Sequence, residues 1–380
     1  MKAVIAIDSL KGSLSSLEAG DAIKSGILKV MPEADVCIRP LADGGEGTVE
    51  ALALGMGGTL ETISVTGPLG EKVDCVYGVI QESKTAIIEM SGAAGITLVP
   101  ETARNPLHTT TYGVGEVIKD AIKKGCRHFI VGIGGSATND GGVGMLQALG
   151  YGMLDKDGIQ VPAGAKGLEK LVHITDYQVI PELKECTFKV ACDVTNPLCG
   201  EFGCSAIFGP QKGATKEMIQ DMDQWLSNYA KITAEKYEKA DAKQPGTGAA
   251  GGLGFAFLAY TNAVLESGIQ IVLEETKLEK YVQDADIVIT GEGRLDGQTV
   301  FGKAPIGVAK IAKKHHKPVI AFSGAVTKDA VACNEHGIDA FFPILRSVQT
   351  LEEAMDSSVA RENMIATVEQ VFRLINIRGI

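Results

Sequence analysis

The sequence lacks the marks of a membrane, secreted or nucleic-acid-binding protein. No stretch approaches the roughly 18 uninterrupted apolar residues that a membrane helix needs. The apolar run after Lys2 has only five residues before Asp8, which is too short for a signal peptide and fits a first β-strand. The net charge is −11, whereas proteins that hold nucleic acid by its phosphates present a basic face. We therefore expect a cytoplasmic protein with neither a membrane nor a nucleic-acid partner.

Cysteine and histidine give no sign of a metal centre or a hydrolase. The chain has eight cysteines but no Cys-x-x-Cys pair, which is the spacing that structural zinc sites normally use. We expect reduced, mostly buried thiols. None of the six histidines has a plausible serine or cysteine partner in the sequence, which disfavours a Ser-His-Asp hydrolase.

Two nucleotide-binding fingerprints are missing as well. The closest approach to the P-loop pattern runs from Gly297 to Lys303, and Ala304 follows where a hydroxyl is required. No G-x-G-x-x-G match is correctly placed, because Gly291 and Gly293 have no third glycine at the required offset. A dinucleotide-binding interpretation is therefore poorly supported.

Short apolar runs that end in glycine or polar residues recur along the chain and alternate with helical patterns. Runs that are apolar throughout fit strands covered on both faces of a parallel sheet. Strands that alternate with helices indicate α/β architecture. The runs are 4–7, 129–133, 188–192, 286–290 and 319–322.

The stretch 59–90 differs, because three strand-like runs follow one another across short turns. Such connections predict an antiparallel β-meander and suggest a second module inserted into the α/β frame. We predict a discontinuous Rossmann-like parallel-sheet domain over 1–60 and 275–380 and an inserted mixed α/β domain over 61–274. We expect the active site in the cleft between them.

Five segments rich in Gly, Asp, Ser and Thr follow predicted strands. In α/β folds the ligand lies beyond the carboxyl ends of the strands, so these positions are informative. The segments are 8–15, 41–48, 134–144, 193–198 with 209–213, and 291–299.

The first two segments combine helix-start signals with charged residues. Ser13 or Ser15 can cap a helix that begins near Leu17, but capping does not explain Lys11. A lysine beside a helix N-terminus suits a phosphate clamp. In the second segment, glycines would let backbone amides approach a ligand closely, with Asp43 and Glu46 as candidate metal or hydroxyl partners. The alternative there is a tight turn into a helix.

The other segments offer further polar groups. The 134–144 loop opens a helix and is a candidate anion site. Asp193 and Asn196 could bind a cation or a hydroxyl, or could form an Asx turn. Lys212 is a candidate nucleotide contact. Arg294 suits bidentate binding of a carboxylate or phosphate, whereas a structural salt-bridge cluster with Glu292 and Asp296 is the alternative.

Taken in order, these motifs resemble the bacterial type I glycerate kinase family over essentially the whole chain. The resemblance implies an α/β enzyme that uses ATP and Mg²⁺ to phosphorylate D-glycerate, with 2-phosphoglycerate as the expected product. The motifs are DSLKGSLSS (8–16), LADGGEGT (41–48), GIGGSATNDGG (132–142), CDVTNPLCG (192–200), GPQKGA (209–214), GAAGGLG (248–254) and GEGRLDGQT with GKAP (291–305).

Phosphoryl transfer requires positioning and charge stabilisation, and we assign roles on that basis. Arg294 is the candidate for the glycerate carboxylate, Asp193 or Asp296 for the general base, and Lys11 with the 134–142 amides for the phosphate. The catalytic candidates are Lys11, Asp193, Arg294 and Asp296. The substrate- or phosphate-binding candidates are Ser9, Asp43, Gly44, Gly45, Gly135, Ser136, Asn139, Asp140, Asn196, Lys212 and Glu292, and the metal candidates are Asp8 and Asp43.

Two other function classes stay open at this point. A dehydrogenase of a small hydroxy acid would suit a Rossmann-like frame but lacks the dinucleotide fingerprint. A non-catalytic sugar-acid sensor would not need charged residues in five separate loops. The sequence leaves the oligomeric state open, with a homodimer as one alternative.

Overall fold

A computed structural model describes residues 1–42 and 47–377 of the chain. The fold is α/β, as predicted. The described residues fall into two compact units, one formed by 1–42, 50–56 and 269–377 and the other by 47–49 and 57–268. The domain bounds derived from the sequence stay a prediction. In the described part of the chain, no helix combines the length and apolar character needed to cross a membrane.

The strands and helices alternate over most of the chain. The strands are β1 (Lys2–Ile5), β2 (Asp35–Ile38), β3 (Thr59–Thr66), β4 (Lys72–Ile80), β5 (Thr85–Glu89), β6 (His128–Gly132), β7 (Gly152–Leu154), β8 (His173–Thr175), β9 (Thr187–Ala191), β10 (Ala263–Glu266), β11 (Ile287–Leu295), β12 (Val319–Val326) and β13 (Ala340–Pro343). The α-helices are α1 (Ser16–Val30), α2 (Thr48–Gly55), α3 (Ser91–Ala94), α4 (Tyr112–Lys123), α5 (Val143–Ala148), α6 (Ala165–Leu168), α7 (Cys204–Phe208), α8 (Lys216–Ala234), α9 (Ala249–Tyr260), α10 (Gly268–Glu275), α11 (Leu278–Gln283), α12 (Ala304–Lys314), α13 (Ala332–Glu335), α14 (Leu351–Met355) and α15 (Ser357–Ile377).

The sheet of the first unit is parallel throughout its described strands, in the order β13-β12-β11-β1-β2. Its central strands are apolar on both faces, which suits burial between helices. On one face, Ile23 of α1 and Val368 of α15 share a buried core with Ile5 and Ile289. The sheet grows from β1 in both directions, so a topological switch point lies between β1 and β11, where α/β folds commonly bind ligands.

The structure corrects the predicted end of β11. The sequence suggested that a loop begins at Gly291, but the strand continues to Leu295 because Glu292 pairs with Ser323 and Arg294 with Ala325 of β12. A side chain at Gly291 would collide with the carbonyl oxygen of Phe322. Glycine therefore permits this close approach inside the strand and is not a turn signal here.

The sheet of the second unit is mixed, in the order β10-β9-β6-β5-β4-β3. The antiparallel pairs β3–β4 and β4–β5 confirm the predicted meander, while β5, β6, β9 and β10 pair in parallel. Phe129 and Phe188 stack across neighbouring strands with ring centroids 4.7 Å apart. The carboxyl ends of the four parallel strands therefore share one edge of this sheet.

Helix α1 begins with the predicted capping box. The Ser15 hydroxyl accepts the Glu18 N–H at 3.2 Å, and the Glu18 carboxylate accepts the Ser15 N–H at 2.8 Å. The adjacent Ser16 hydroxyl donates to the Ile7 carbonyl at 2.8 Å and accepts the Leu41 N–H at 2.9 Å. These bonds fix the start of α1 against the end of β1.

We expect Ser15→Ala to lower the free energy of unfolding by about 0.5–2 kcal/mol, because the substitution leaves the Glu18 N–H in the first turn of α1 without its acceptor. Urea unfolding followed by circular dichroism measures the change. Ser25→Ala, in the middle of the same helix, is the matched control and should stay within about 0.5 kcal/mol of the parent protein. Equal effects of the two substitutions would contradict a capping role.

Candidate active site

The first cluster of candidate residues lies at the switch point between β1 and β11. The Asp8 N–H donates to the Gly291 carbonyl at 3.0 Å, so the chain after β1 stays paired with β11. This pairing places Asp8 beside the start of the Glu292–Arg294 segment. Both carboxylates are largely buried, with Asp8 6% and Glu292 9% exposed. One Asp8 oxygen accepts the Ser9 N–H at 2.7 Å.

Lys11 lies in the loop between β1 and α1, on the exposed side. A Cβ atom added to Gly293 would lie 3.5 Å from the backbone nitrogen of Lys11. The end of β11 therefore passes directly against the Lys11 loop. Lys11 and the Gly293–Arg294 backbone belong to motifs that are far apart in the sequence. The structure brings them together at the carboxyl ends of β1 and β11.

Arg294 and its neighbours form a charged network in which the Arg294 side chain is the most exposed group. The Arg294 Nε lies 3.7 Å from an Asp296 carboxylate oxygen, but the Arg294 side chain is 66% exposed. Lys303, which the sequence did not place among the candidates, has its Nζ 3.6 Å from Asp296 and 3.8 Å from Glu292. Thr299 donates to the Glu292 carboxylate at 2.6 Å. The network therefore holds the acidic residues more firmly than it holds the guanidinium.

The second cluster lies in the loop that follows β6 and leads into α5. Gly142 is the residue before α5 and has a φ of 76°. The carboxylate of Asp140, which is 1% exposed, accepts N–H groups from Thr111, Gly142 and Gly144 at 2.9, 3.0 and 3.3 Å. Burial raises the pKa of Asp140, while these hydrogen bonds oppose the rise.

These hydrogen bonds reduce the number of loop amides that can bind phosphate as predicted. The Gly141 N–H donates to the Gly251 carbonyl at 2.9 Å, and those of Gly142 and Gly144 donate to Asp140. The amides at the α5 end of the loop are therefore engaged inside the protein. Gly135 has a φ of 72°, and its carbonyl accepts the Ile96 N–H at 2.8 Å. A phosphate contact by the other amides of the loop, those of 134–136 and 138–140, stays a prediction.

The buried side chain of Lys212 holds the same loop in place through two hydrogen bonds. Its side chain is fully buried, with the residue 2% exposed, and its ammonium donates to the Ser136 hydroxyl at 2.7 Å and to the Thr138 carbonyl at 2.6 Å. Burial lowers the pKa of Lys212 to about 8. Asn139 adds a second anchor by donating to the Ser205 hydroxyl of α7 at 2.9 Å.

The 248–254 segment packs against this loop through a left-handed stretch that the sequence did not reveal. Ala250, Gly251 and Gly252 have φ values of 51°, 67° and 94°. A side chain at Gly251 would collide with the Thr138 carbonyl oxygen. The pair of glycines therefore allows the start of α9 to lie directly on the loop.

Asp193 and Asn196 follow β9 and have separate hydrogen-bond partners. Asp193 is exposed, and its carboxylate accepts the Gly268 N–H at 3.1 Å. The Asn196 amide donates to the Phe202 carbonyl at 2.9 Å, which stabilises its own loop. Asp193 thus keeps an accessible carboxylate, whereas the Asn196 side chain has a structural contact.

Two acidic residues at the same sheet edge were missed because each ends an otherwise ordinary apolar strand. Glu89 closes β5, and its carboxylate accepts the Val49 N–H at 2.8 Å. Glu266 closes β10 beside Ala191, and its Oε2 is buried without a hydrogen-bond partner among the described residues. Asp43, Gly44 and Gly45, which the sequence placed among the candidates, lie outside the described residues, as does Glu46.

The buried lysine generates a pH prediction. Between about pH 8 and 10.5 the folded protein binds fewer protons at Lys212 than the unfolded chain, because burial lowers the folded pKa from 10.5 to about 8. This lysine therefore makes the free energy of unfolding rise with pH in that window. In Lys212→Met the contribution is absent, so the stability of the parent protein relative to the variant should increase by up to ~1.4 kcal/mol per pH unit.

Urea unfolding of both proteins at pH 7, 8, 9 and 10 measures this difference. Lys310→Met, which replaces an exposed lysine of α12, is the control and should show a constant difference from the parent protein. Parallel stability profiles for the parent protein and Lys212→Met would refute the lowered pKa.

Comparisons with known proteins agree with these motifs. The model of the glycerate kinase family matches residues 3–376. The chain is 50% identical to the glycerate kinase of Haemophilus influenzae, covering 99% of both chains, and 49% identical to the glycerate 2-kinase of Escherichia coli K12, covering 97% of this chain and 98% of the relative. The crystal structure of a candidate glycerate kinase 2 from Salmonella typhimurium LT2 is 47% identical and has a TM-score of 0.93, covering 100% of this chain and 99% of its own. The chain belongs to the glycerate kinase family.

Proposed function

We propose that the protein transfers a phosphoryl group from ATP to D-glycerate, gives 2-phosphoglycerate and acts in the cytoplasm. Family membership and the names of the relatives support glycerate as the acceptor, and the glycerate 2-kinase supports the position of transfer. The observation that carries the proposal is the cluster of Asp8, Lys11, Glu292 and Arg294 at the switch point between β1 and β11. Such a cluster supplies both cations and carboxylates where α/β folds bind ligands.

Arg294 is the residue proposed to bind the glycerate carboxylate. Its planar guanidinium can form two parallel hydrogen bonds with a carboxylate. The contact with Asp296 involves Nε at 3.7 Å, and 66% of the side chain is exposed. The guanidinium is therefore oriented by a neighbour while most of it stays accessible to a ligand.

Lys11 is the residue proposed to neutralise the transferring phosphoryl group. Lys303 is the other nearby lysine, but its Nζ lies within 4 Å of both Glu292 and Asp296. We therefore assign Lys303 to holding these two carboxylates. Lys11 is assigned to the phosphate because it is exposed, lies in the loop that leads into α1 and passes beside the end of β11. Charge stabilisation of this kind provides most of the catalysis in phosphoryl transfer.

Asp193 is the favoured general base in this proposal, with Asp296 as the alternative. A base must lie within hydrogen-bond reach of the attacking hydroxyl, and a carboxylate already in contact with two cations has less of its surface available for that hydroxyl. Arg294 and Lys303 both lie within 4 Å of Asp296, whereas Asp193 is exposed and accepts one backbone N–H. Asp193→Asn should therefore reduce turnover more than Asp296→Asn does.

The described residues are compatible with Mg²⁺ held mainly by phosphate. They contain no group of three or more metal-binding side chains, but Mg²⁺ is commonly bound by one or two carboxylates together with substrate phosphates and water. Asp8 offers one buried carboxylate at the switch point, and Asp43 is the second proposed ligand. When bound, the ion would neutralise charge on the phosphate oxygens.

The proposed reaction is tested with purified protein, ATP, Mg²⁺ and D-glycerate, and ³¹P NMR should show 2-phosphoglycerate. Lys11→Met should lower kcat by at least about 100-fold, because the charge opposite the phosphoryl group is lost, while the melting temperature stays close to that of the parent protein. Lys310→Met is the matched control and should keep full activity. Absence of phosphoglycerate with the parent protein, or product only with NAD⁺, would exclude the kinase proposal.

Arg294→Lys tests how the acceptor is held. The substitution keeps the charge but removes the bidentate geometry, and the loss of a charge-assisted hydrogen bond of about 1.5–3 kcal/mol corresponds to a ~10- to 150-fold decrease in kcat/KM for glycerate. The KM for ATP should change little. Arg361→Lys, at an exposed position of α15, is the control. A raised KM for ATP with normal saturation by glycerate would instead assign Arg294 to the nucleotide.

A further inference from the structure

The second unit contains a cavity of about 800 Å³ that the proposed reaction does not use. Its walls include four tyrosines and three lysines at the amino-terminal end of the sheet, one of them Lys239. The others are Tyr151, Tyr177, Lys184, Lys236, Tyr237 and Tyr260.

The cavity lies at the opposite edge of this sheet from the Lys212-anchored loop. Lys184 precedes β9 and Asn262 precedes β10, and the Asn262 amide donates to the Lys184 carbonyl at 3.3 Å. The candidate residue Asp193, in contrast, follows β9. A five-residue strand spans roughly 16 Å, so within this unit the cavity is separate from the candidate active site.

The wall of the cavity is aromatic. Tyr260 meets the ring of Tyr151 edge-on at 5.1 Å and that of Tyr237 at 4.7 Å. The Tyr151 hydroxyl donates to the Tyr260 carbonyl at 3.0 Å, which fixes its ring. Tyr177 stands beside them with 88% of its surface exposed. An exposed ring next to fixed rings can cover a flat ligand and bury a large apolar area.

The charges around the cavity favour an anion. The Lys236 ammonium lies 6.0 Å from the Tyr177 ring centroid and is paired with the Asp176 carboxylate at 2.8 Å. The lining holds three lysines against two carboxylates, Asp176 and Glu238, so it has an excess of one positive charge, and Lys184 and Lys239 are the lysines outside the Lys236–Asp176 pair. Both lysines are exposed, so their ammonium groups can reach a ligand at the entrance.

We propose that this cavity is a second ligand site, for a small planar ring that carries an anionic group. The ring lies under Tyr177 and against Tyr237, and the anionic group meets Lys184 and Lys239. Neither half of such a ligand uses the whole site. A ring alone leaves the lysines unpaired, and an anion alone leaves Tyr177 exposed.

Isothermal titration calorimetry of the full chain tests the site with three probes: phenyl phosphate, phenol and inorganic phosphate. We expect phenyl phosphate to bind with one-to-one stoichiometry and a Kd below about 1 mM, and the other two probes to bind at least tenfold more weakly. Tyr177→Ala, and separately the pair Lys184→Ala and Lys239→Ala, should each weaken phenyl phosphate binding at least tenfold. Because these positions are exposed, the substitutions should leave the melting temperature unchanged.

Two further variants locate the bound probe. Lys11→Met should retain phenyl phosphate binding, because Lys11 belongs to the proposed phosphate site of the other unit. Tyr112→Ala, at a partly exposed tyrosine of α4 outside the cavity, should also bind normally. The proposal is overturned if binding is absent, if it survives both cavity variants, or if it disappears in Lys11→Met.

Discussion

The burial of the Lys212 ammonium constrains the candidate site of the second unit more than any other interaction. A cation removed from water requires strong acceptors at close range, and here the Ser136 hydroxyl and the Thr138 carbonyl lie 2.7 and 2.6 Å away. Both acceptors belong to the loop after β6, so satisfying the lysine also fixes that loop. Glycine at position 251 meets the same constraint, because a side chain there would strike the Thr138 carbonyl that accepts from Lys212.

In the first unit, strand pairing instead of a buried cation holds the candidate residues in place. Its candidate residues are positioned by strand register, since β11 and β12 stay paired as far as Leu295 and Val326. This extension carries Glu292 and Arg294 on a strand instead of a loop, and strands hold side chains more rigidly than loops do. Lys303 and Thr299 then fix the Glu292 carboxylate. Rigid acidic residues beside an accessible guanidinium suit selective binding of a small charged substrate.

Much of the architecture was predictable, because local patterns determine it. Apolar runs such as 4–7 and 129–133 indicated the parallel strands, short turns indicated the meander, and Ser15 with Glu18 indicated the start of α1. The contacts of Lys212 were not predictable, because its partners lie 74 and 76 residues earlier in the chain and leave no local signal. The predicted end of β11 was wrong. Glycine and charged residues usually mark a loop, and here the pairing with β12 overrides that preference.

The engagement of Asp140 distinguishes the loop after β6 from a P-loop. A P-loop presents a continuous series of backbone amides at a helix N-terminus to phosphate. Here the Gly142 and Gly144 amides donate to the Asp140 carboxylate, which itself is locked by Thr111. Those amides therefore stabilise the protein and not a ligand. If phosphate binds as proposed, the proposed Mg²⁺ and cationic side chains must balance most of its negative charge, and this requirement makes the exposed cation Lys11 more important than a glycine-rich loop alone would suggest.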